Sequence, residues 1–196
     1  MIDAPCFALL AGPNGAGKST SAPILLADLP FFNADNAALL ISPGNPALAA
    51  IEAGRQTLDR IDRAIEVGKS FAVETTLSGR GYLLRAAKAK RQGWKFGLIY
   101  VGVASPELAI QRVESRFQAG GHFVPAPDVR RRYARGLVNL REACLLVDHG
   151  AIYDNSASGN PLRLLLKVRN GRAEDVVNDI PAWAQSALRG ILPGAR

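Results

Sequence analysis

Short apolar runs alternate along the chain with segments of helical period, and that alternation predicts the architecture. Strands are expected over 7–11, 71–74 and 96–103, where apolar residues run nearly unbroken, as in strands buried on both faces. Shorter strands are expected over 31–35 and 151–154, and a last one over 162–168 after a Ser/Gly/Asn/Pro turn. Helical period predicts 18–27, with Pro23 an awkward point, then 47–67 closed by Gly68, and 82–92 closed by Gly93. It also predicts 106–118 with proline in its first turn, 127–146, and a final helix over 176–188. The segments 42–46 and 120–125, rich in Gly and Pro, are loops. Strands alternating with helices predict an α/β fold with a mainly parallel sheet covered on both faces. Ligands then bind beyond the carboxyl ends of the strands.

Chemistry gathers at those ends. Directly after the first strand the chain reads G-P-N-G-A-G-K-S over 12–19, followed by Thr20. This is a complete phosphate-binding loop. Its glycines let backbone N–H groups turn onto phosphate oxygens, Lys18 reaches the β- and γ-phosphates, and Ser19 holds Mg²⁺. The helix that follows points its positive end at the same anion. Gly12, Pro13, Asn14, Gly15, Ala16, Gly17, Lys18, Ser19 and Thr20 are therefore the expected ATP-binding residues. The fold narrows to a P-loop NTPase, a three-layer α/β/α sandwich with a helical lid.

Two further strands end in an acid. Asp35, between Asn33 and Asn36, is the candidate base for an attacking hydroxyl, against the plainer reading of a helix cap. Glu74, followed by Thr75 and Thr76, is either the Mg²⁺-organising acid of an NTPase or a group that holds the acceptor. A third feature runs from Arg112 to Arg135. Arg112 and Arg116 share one helix face, Arg131 and Arg135 another, and a Gly/Pro loop lies between them. Arginines flanking a lid over about 117–128 fit a small-molecule kinase, in which closure brings guanidinium groups onto the transferring phosphoryl. His122, within that loop, reads as a turn or substrate-contact residue.

Composition bounds the rest. The 196 residues, 48% hydrophobic and 21% charged, make one globular domain spanning 1–196. No apolar stretch is long enough for a membrane span and the N-terminus lacks a basic leader, so a cytoplasmic protein is expected. Cys6 and Cys144 read as core residues, not as a disulfide. The net charge is +7. Arg80, Arg85, Lys88, Lys90, Arg91 and Lys95 fall in a stretch without acids and read as a solvated helix face. The aromatic residues do not interleave with basic ones, as they do in single-strand binders, so nucleic acid is not the expected partner.

The ordered set A-G-P-N-G-A-G-K-S-T at 11–20, N-A-D at 33–35, E-T-T at 74–76 and G-G-H-F-V-P…R-R-R-Y-A-R…N-L from 120 to 140 resembles the zeta-toxin family of P-loop kinases. That family includes the toxins of epsilon/zeta-type toxin–antitoxin modules, and the resemblance covers 6–155. It implies ATP- and Mg²⁺-dependent phosphorylation of a small or nucleotide-linked acceptor, UDP-N-acetylglucosamine in characterised members, on its 3′-hydroxyl. It also implies a protein antitoxin as partner. By resemblance Lys18 binds ATP, Ser19 holds Mg²⁺, Asp35 is the base, and Glu74 and Thr76 hold the amino sugar. Of the family's two lid arginines one falls on Arg135. The other falls on His122, a departure that leaves Arg116, Arg131 or Arg132 to replace it. The competing expectations are a polynucleotide 5′-hydroxyl kinase, which the positive charge permits, and a P-loop NTPase switch that needs no acceptor.

Overall fold

Residues 4–26, 29–121, 123–157 and 162–193 are described by a computed structural model. Its strands are β1 (Cys6–Ala11), β2 (Phe31–Asn33), β3 (Phe71–Thr75), β4 (Lys95–Gly102), β5 (His149–Asp154), β6 (Arg163–Arg169) and β7 (Arg172–Glu174). Its helices are α1 (Lys18–Leu25), α2 (Ala34–Ile41), α3 (Pro46–Glu66), α4 (Gly81–Arg91), α5 (Pro106–Gln118), α6 (Ala126–Leu146) and α7 (Ala182–Ala187). The strands form one sheet in the order β2-β3-β1-β4-β5-β6-β7. The pairings from β2 to β5 are parallel, and β6 and β7 add antiparallel. The chain therefore leaves β1 toward one edge and later returns past it to β4. The switch point that opens a ligand crevice in such sheets lies at the carboxyl end of β1.

Alternate residues of the central strands feed two cores. Phe7, Leu9, Phe71, Val73, Phe96 and Leu98 pack against α3, α4, α7 and the second half of α6. Leu10, Val101 and Val103 pack against α1, α5 and the first half of α6. This gives the three layers and explains the unbroken apolar runs. On the first face aromatic rings step across the strands: Phe7 lies 4.6 Å from Phe71 and 5.9 Å from Phe96, centroid to centroid. Truncating such a buried ring to alanine typically costs about 3–5 kcal/mol.

Helix α6 contributes to both cores, so it crosses over the carboxyl edge of the sheet. Three contacts fasten it there. The Tyr133 hydroxyl donates to the Val103 carbonyl at 2.9 Å, and Asn139 Nδ2 donates to the Leu77 carbonyl at 2.7 Å. Between them, a Cβ on Gly136 would stand 2.8 Å from the Thr76 carbonyl oxygen, so the helix seats directly on the turn after β3.

Four elements differ from expectation: β2, α2, α7 and β7. The strand expected over 31–35 stops at Asn33, and a helix not foreseen, α2, begins at Ala34. Asn33 Oδ1 accepts from the Asp35 and Asn36 amides at 2.8 and 3.1 Å, which is an N-cap. The helix expected over 176–188 is confined to α7, because Pro181 caps it and cannot continue a helix from upstream. Before it lies a hairpin: Asn170 and Gly171 both have positive φ, 48° and 78°, the two-residue turn that joins β6 to β7. The basic stretch 80–95 is not simply solvated. Arg80 pairs with Glu142, Arg85 with Asp62 and Lys90 with Asp148, acids supplied by other elements.

Candidate active site

At the switch point β1 gives way to the phosphate loop. The Gly12 amide takes the last ladder bond, to the Thr75 carbonyl at 3.2 Å. Gly15 and Gly17 have φ of 73° and 86°, the left-handed region that glycine enters without strain. Neither has room for a side chain: a Cβ on Gly15 would lie 2.6 Å from the Ala109 carbonyl oxygen of α5, and one on Gly17 2.7 Å from Asn155 Nδ2. Asn155 closes the loop from the end of β5, donating to the Ala16 carbonyl at 2.9 Å. Gly12, Pro13 and Ala16 form the buried back of the turn, while Asn14, Gly15, Gly17, Lys18, Ser19 and Thr20 line an open cleft of about 930 Å³.

Lys18 is 6% exposed, and its Nζ donates to the Pro13 carbonyl at 3.0 Å and lies 3.8 Å from Glu74 Oε1. Burial pulls its pKa below the ordinary lysine value. The charges of Glu74 and Asp35 oppose that shift, and the Arg116 guanidinium adds to it. Asn14 is also buried, and its Oδ1 has no hydrogen-bond partner among the described residues.

Glu74 is the hub of this half. Parallel register sets it beside Leu10 on one strand and Asn33 on the other. Its carboxylate accepts from Ser19 Oγ at 3.0 and 3.2 Å and from Asn33 Nδ2 at 2.9 Å. Glu74 thus lies on the donor side of the cleft, against the serine expected to hold the metal. The acceptor-holding alternative is not what its contacts favour. Beyond it the chain turns sharply: Leu77, fully buried, has φ of 57°, a strained value for a branched residue. The turn is braced by Thr75 Oγ1 accepting from the Leu77 amide at 2.9 Å and by a Thr76–Ser78 hydroxyl pair at 3.0 Å.

Asp35 sits in the first turn of α2 and not at a strand end. The capping role belongs to Asn33, which leaves the Asp35 carboxylate toward the cleft. It lines the same cleft as Lys18 and as Tyr82 of α4; burial is the main cause that raises the Tyr82 pKa, and the Asp35 charge adds to that rise.

The arginines divide. Arg112 lines the cleft, but its guanidinium donates to the Asn155 and Ser156 carbonyls at 2.6 and 3.2 Å and so anchors the segment after β5. Arg116 and Arg132 line the cleft from α5 and α6. Arg132 is half-buried and has no hydrogen bond or ion pair among the described residues. Arg131 is held by Asp128 at 2.9 Å on the outer face of α6 and does not line the cleft. Arg135, the expected lid arginine, is also displaced. It lines a separate small depression with Arg80 and Val138, one turn of α6 away from the face on which Arg132 and Gly136 meet the sheet edge. The Phe117 and Phe123 rings, 5.1 Å apart, meet across the loop between α5 and α6. His122 lies outside the described residues.

The donor set suits the group that a phosphate loop implies. Among the described residues no three His, Cys, Asp or Glu side chains could hold a metal by themselves. Ser19 Oγ with the Glu74 carboxylate behind it matches Mg²⁺, which takes one or two protein oxygens and completes its shell from phosphates and water.

A parallel sheet ordered β2-β3-β1-β4-β5, a phosphate loop after β1 and a helix lying over the sheet edge can now be compared with known proteins. No family model matches the chain. A protein of Haemophilus influenzae (strain ATCC 51907 / DSM 11121 / KW20 / Rd), described as uncharacterized, is 36% identical over 131 residues, which are 62% of this chain and 88% of that one. The chain belongs to the same family as that protein. Among solved structures, a chain of the AvrRxo1-ORF1:-ORF2 complex with ATP superposes with a TM-score of 0.70 at 17% identity. The match covers 89% of this chain and 60% of that one, so this chain spans about three fifths of its structural relative. The PezAT chromosomal toxin–antitoxin system of Streptococcus pneumoniae contributes a match with a TM-score of 0.59 at 16% identity, over 98% and 80% of the two chains. The fold is that of the zeta-toxin-like P-loop kinases. Within this zeta-toxin-like fold, the carboxyl edge of the sheet carries the phosphate loop, Glu74, Asp35 and the inward face of α6.

Proposed function

We propose that the protein is an ATP-dependent kinase that transfers the γ-phosphoryl group to a hydroxyl of a small-molecule acceptor. The observation that carries this reading is the placement of Asp35: a carboxylate without a capping duty that lines one cleft together with the phosphate loop and the wall made by α4. A nucleotide switch needs only the first of these. Mg²⁺·ATP, when bound, supplies the transferable phosphoryl group and the divalent charge that offsets the phosphates.

The chain's own residues divide the remaining work. Backbone amides of the loop and Lys18 bind the phosphates. Ser19 takes the metal, oriented by Glu74. Asp35 accepts the proton of the attacking hydroxyl, so that ATP and R–OH become ADP and the phosphate ester. Arg116 and Arg132 neutralise charge on the phosphoryl oxygens as it moves, a contribution that removal of one such donor typically reveals as about 10²–10³ in rate. Arg132 takes the part that resemblance gave to Arg135. The loop between α5 and α6, with its Phe117–Phe123 contact, is the lid that excludes water.

The partner that this reading admits is a protein antitoxin. It is supported by the likeness to the PezAT system and by apolar side chains left exposed on α2 and α3 beside the cleft: Leu40 and Ile51 are each 81% exposed.

The test is the fate of the γ-phosphate. Incubation of γ-labelled ATP with the protein and a bacterial small-molecule extract is expected to label an organic product that mass spectrometry identifies as a phosphate ester. Release of inorganic phosphate alone would replace the kinase with an NTPase.

A further inference from the structure

The two walls of the cleft differ in charge. Among the described residues its basic side chains, Lys18, Arg112, Arg116 and Arg132, come from the phosphate loop, α5 and α6. The opposite wall is built by α2, the α2–α3 connection, the turn after β3 and the start of α4. It presents Asn36, Asn45, Thr76, Ser78 and Tyr82 as hydrogen-bonding groups and Leu39 as an apolar face. Among the described residues of that wall no cation appears, and beyond Glu74, which is engaged by Ser19 and Asn33, the one ionised side chain is Asp35.

Of the nearby arginines, Arg135 lines the separate depression that adjoins this wall at Ser78, and it does not line the cleft. Arg80 is held by Glu142 at 2.7 Å, and Arg85 is gripped by both oxygens of Asp62 at 2.8 Å. Neither lines the cleft. An anionic acceptor on this wall would meet the Asp35 carboxylate with no guanidinium or ammonium among the wall's described residues to pair with. Sites that recognise phosphate or carboxylate are built the other way, with charge-assisted donors. Hydroxyl and amide groups around an aromatic face instead match the alternating C–H and O–H surface of a sugar-like molecule.

Resting on the kinase reading above, we propose that the acceptor is an uncharged polyhydroxyl compound, a free sugar, polyol or nucleoside, and not a phosphorylated or nucleotide-linked one. Its hydroxyls are read by Asn36, Thr76, Ser78 and Tyr82, and the one nearest Asp35 receives the phosphoryl group. The product carries the phosphate that the substrate lacked, so the charge of this wall also favours its release. The reaction then serves as the first phosphorylation of its substrate, ahead of any step that needs a phosphate handle.

The experiment separates a bacterial small-molecule extract on a mixed-bed ion exchanger before the reaction. Full-length protein and γ-labelled ATP are added to the uncharged flow-through and, separately, to the retained compounds after elution and removal of endogenous nucleotides. Transfer of label to an organic product in the flow-through, at least tenfold above the retained pool, is the expected result. Transfer confined to the retained pool overturns the proposal and leaves the kinase reading standing. Release of inorganic phosphate alone in both pools overturns the two together.

Discussion

Arg132 and Arg135 lie three residues apart on α6, and their difference is set by helical geometry. The face that carries Arg132 and Gly136 meets the sheet edge at the turn after β3, where Gly136 leaves room. Arg131 and Arg135 look elsewhere, onto Asp128 and the small depression beside Arg80. A guanidinium half-buried in a cleft with no partner among the described residues is held ready for an anion, whereas an exposed one contributes little. Arg132→Ala is therefore expected to lower kcat by about 10²-fold with little change in ATP affinity, and Arg135→Ala to leave kcat within about twofold of the wild type. Steady-state rates of label transfer check both. Equal losses at the two positions would remove the distinction.

At the scale of elements, the phosphate loop and the alternation of strands and helices were legible because both are local. The loop's glycines have fixed spacing, and buried parallel strands show as apolar runs. Edges were harder. The strand at Phe31 ends because Asn33 turns its side chain onto the Asp35 and Asn36 amides, and an asparagine inside N-A-D-N reads equally as a strand end or a cap. The β6–β7 hairpin had a visible signal in Asn170-Gly171, but the strand after it has only three residues, too few to show alternation. Site chemistry divided in the same way. That Glu74 would matter was readable from its place after an apolar run. Which partner it serves was not, because its contacts with Ser19 and Asn33 span 55 and 41 residues. The partners of the basic stretch were hidden for the same reason, since Arg80 and Arg85 pair across 62 and 23 residues.

For the molecule as a whole, stability and chemistry sit at opposite edges of the sheet. Asp148, just before β5, accepts from Lys90 Nζ at 2.9 Å and from the Phe96 amide at 2.7 Å. Burial alone would raise its pKa, but the Phe96 amide and the Lys90 ammonium outweigh it and hold the carboxyl below its ordinary value. The native state then binds fewer protons than the unfolded state in acid. Stability from this group is complete above the unfolded value of about 4 and is lost as pH falls through the lower native value. Asp148→Asn is expected to cost about 1–3 kcal/mol at neutral pH, read from urea midpoints, with the gap to wild type closing below about pH 4 and transfer activity of the folded protein unchanged. A gap of the same size at both pH values would contradict this. At the other edge the account depends on one carboxylate that lines the cleft together with the phosphate loop. The most direct test compares the wild type with Asp35→Asn by ATP affinity and by single-turnover transfer of label to the acceptor fraction. Nucleotide affinity is predicted to stay within about threefold while transfer falls by at least about 10²-fold. Full transfer by the Asn variant would contradict the central claim.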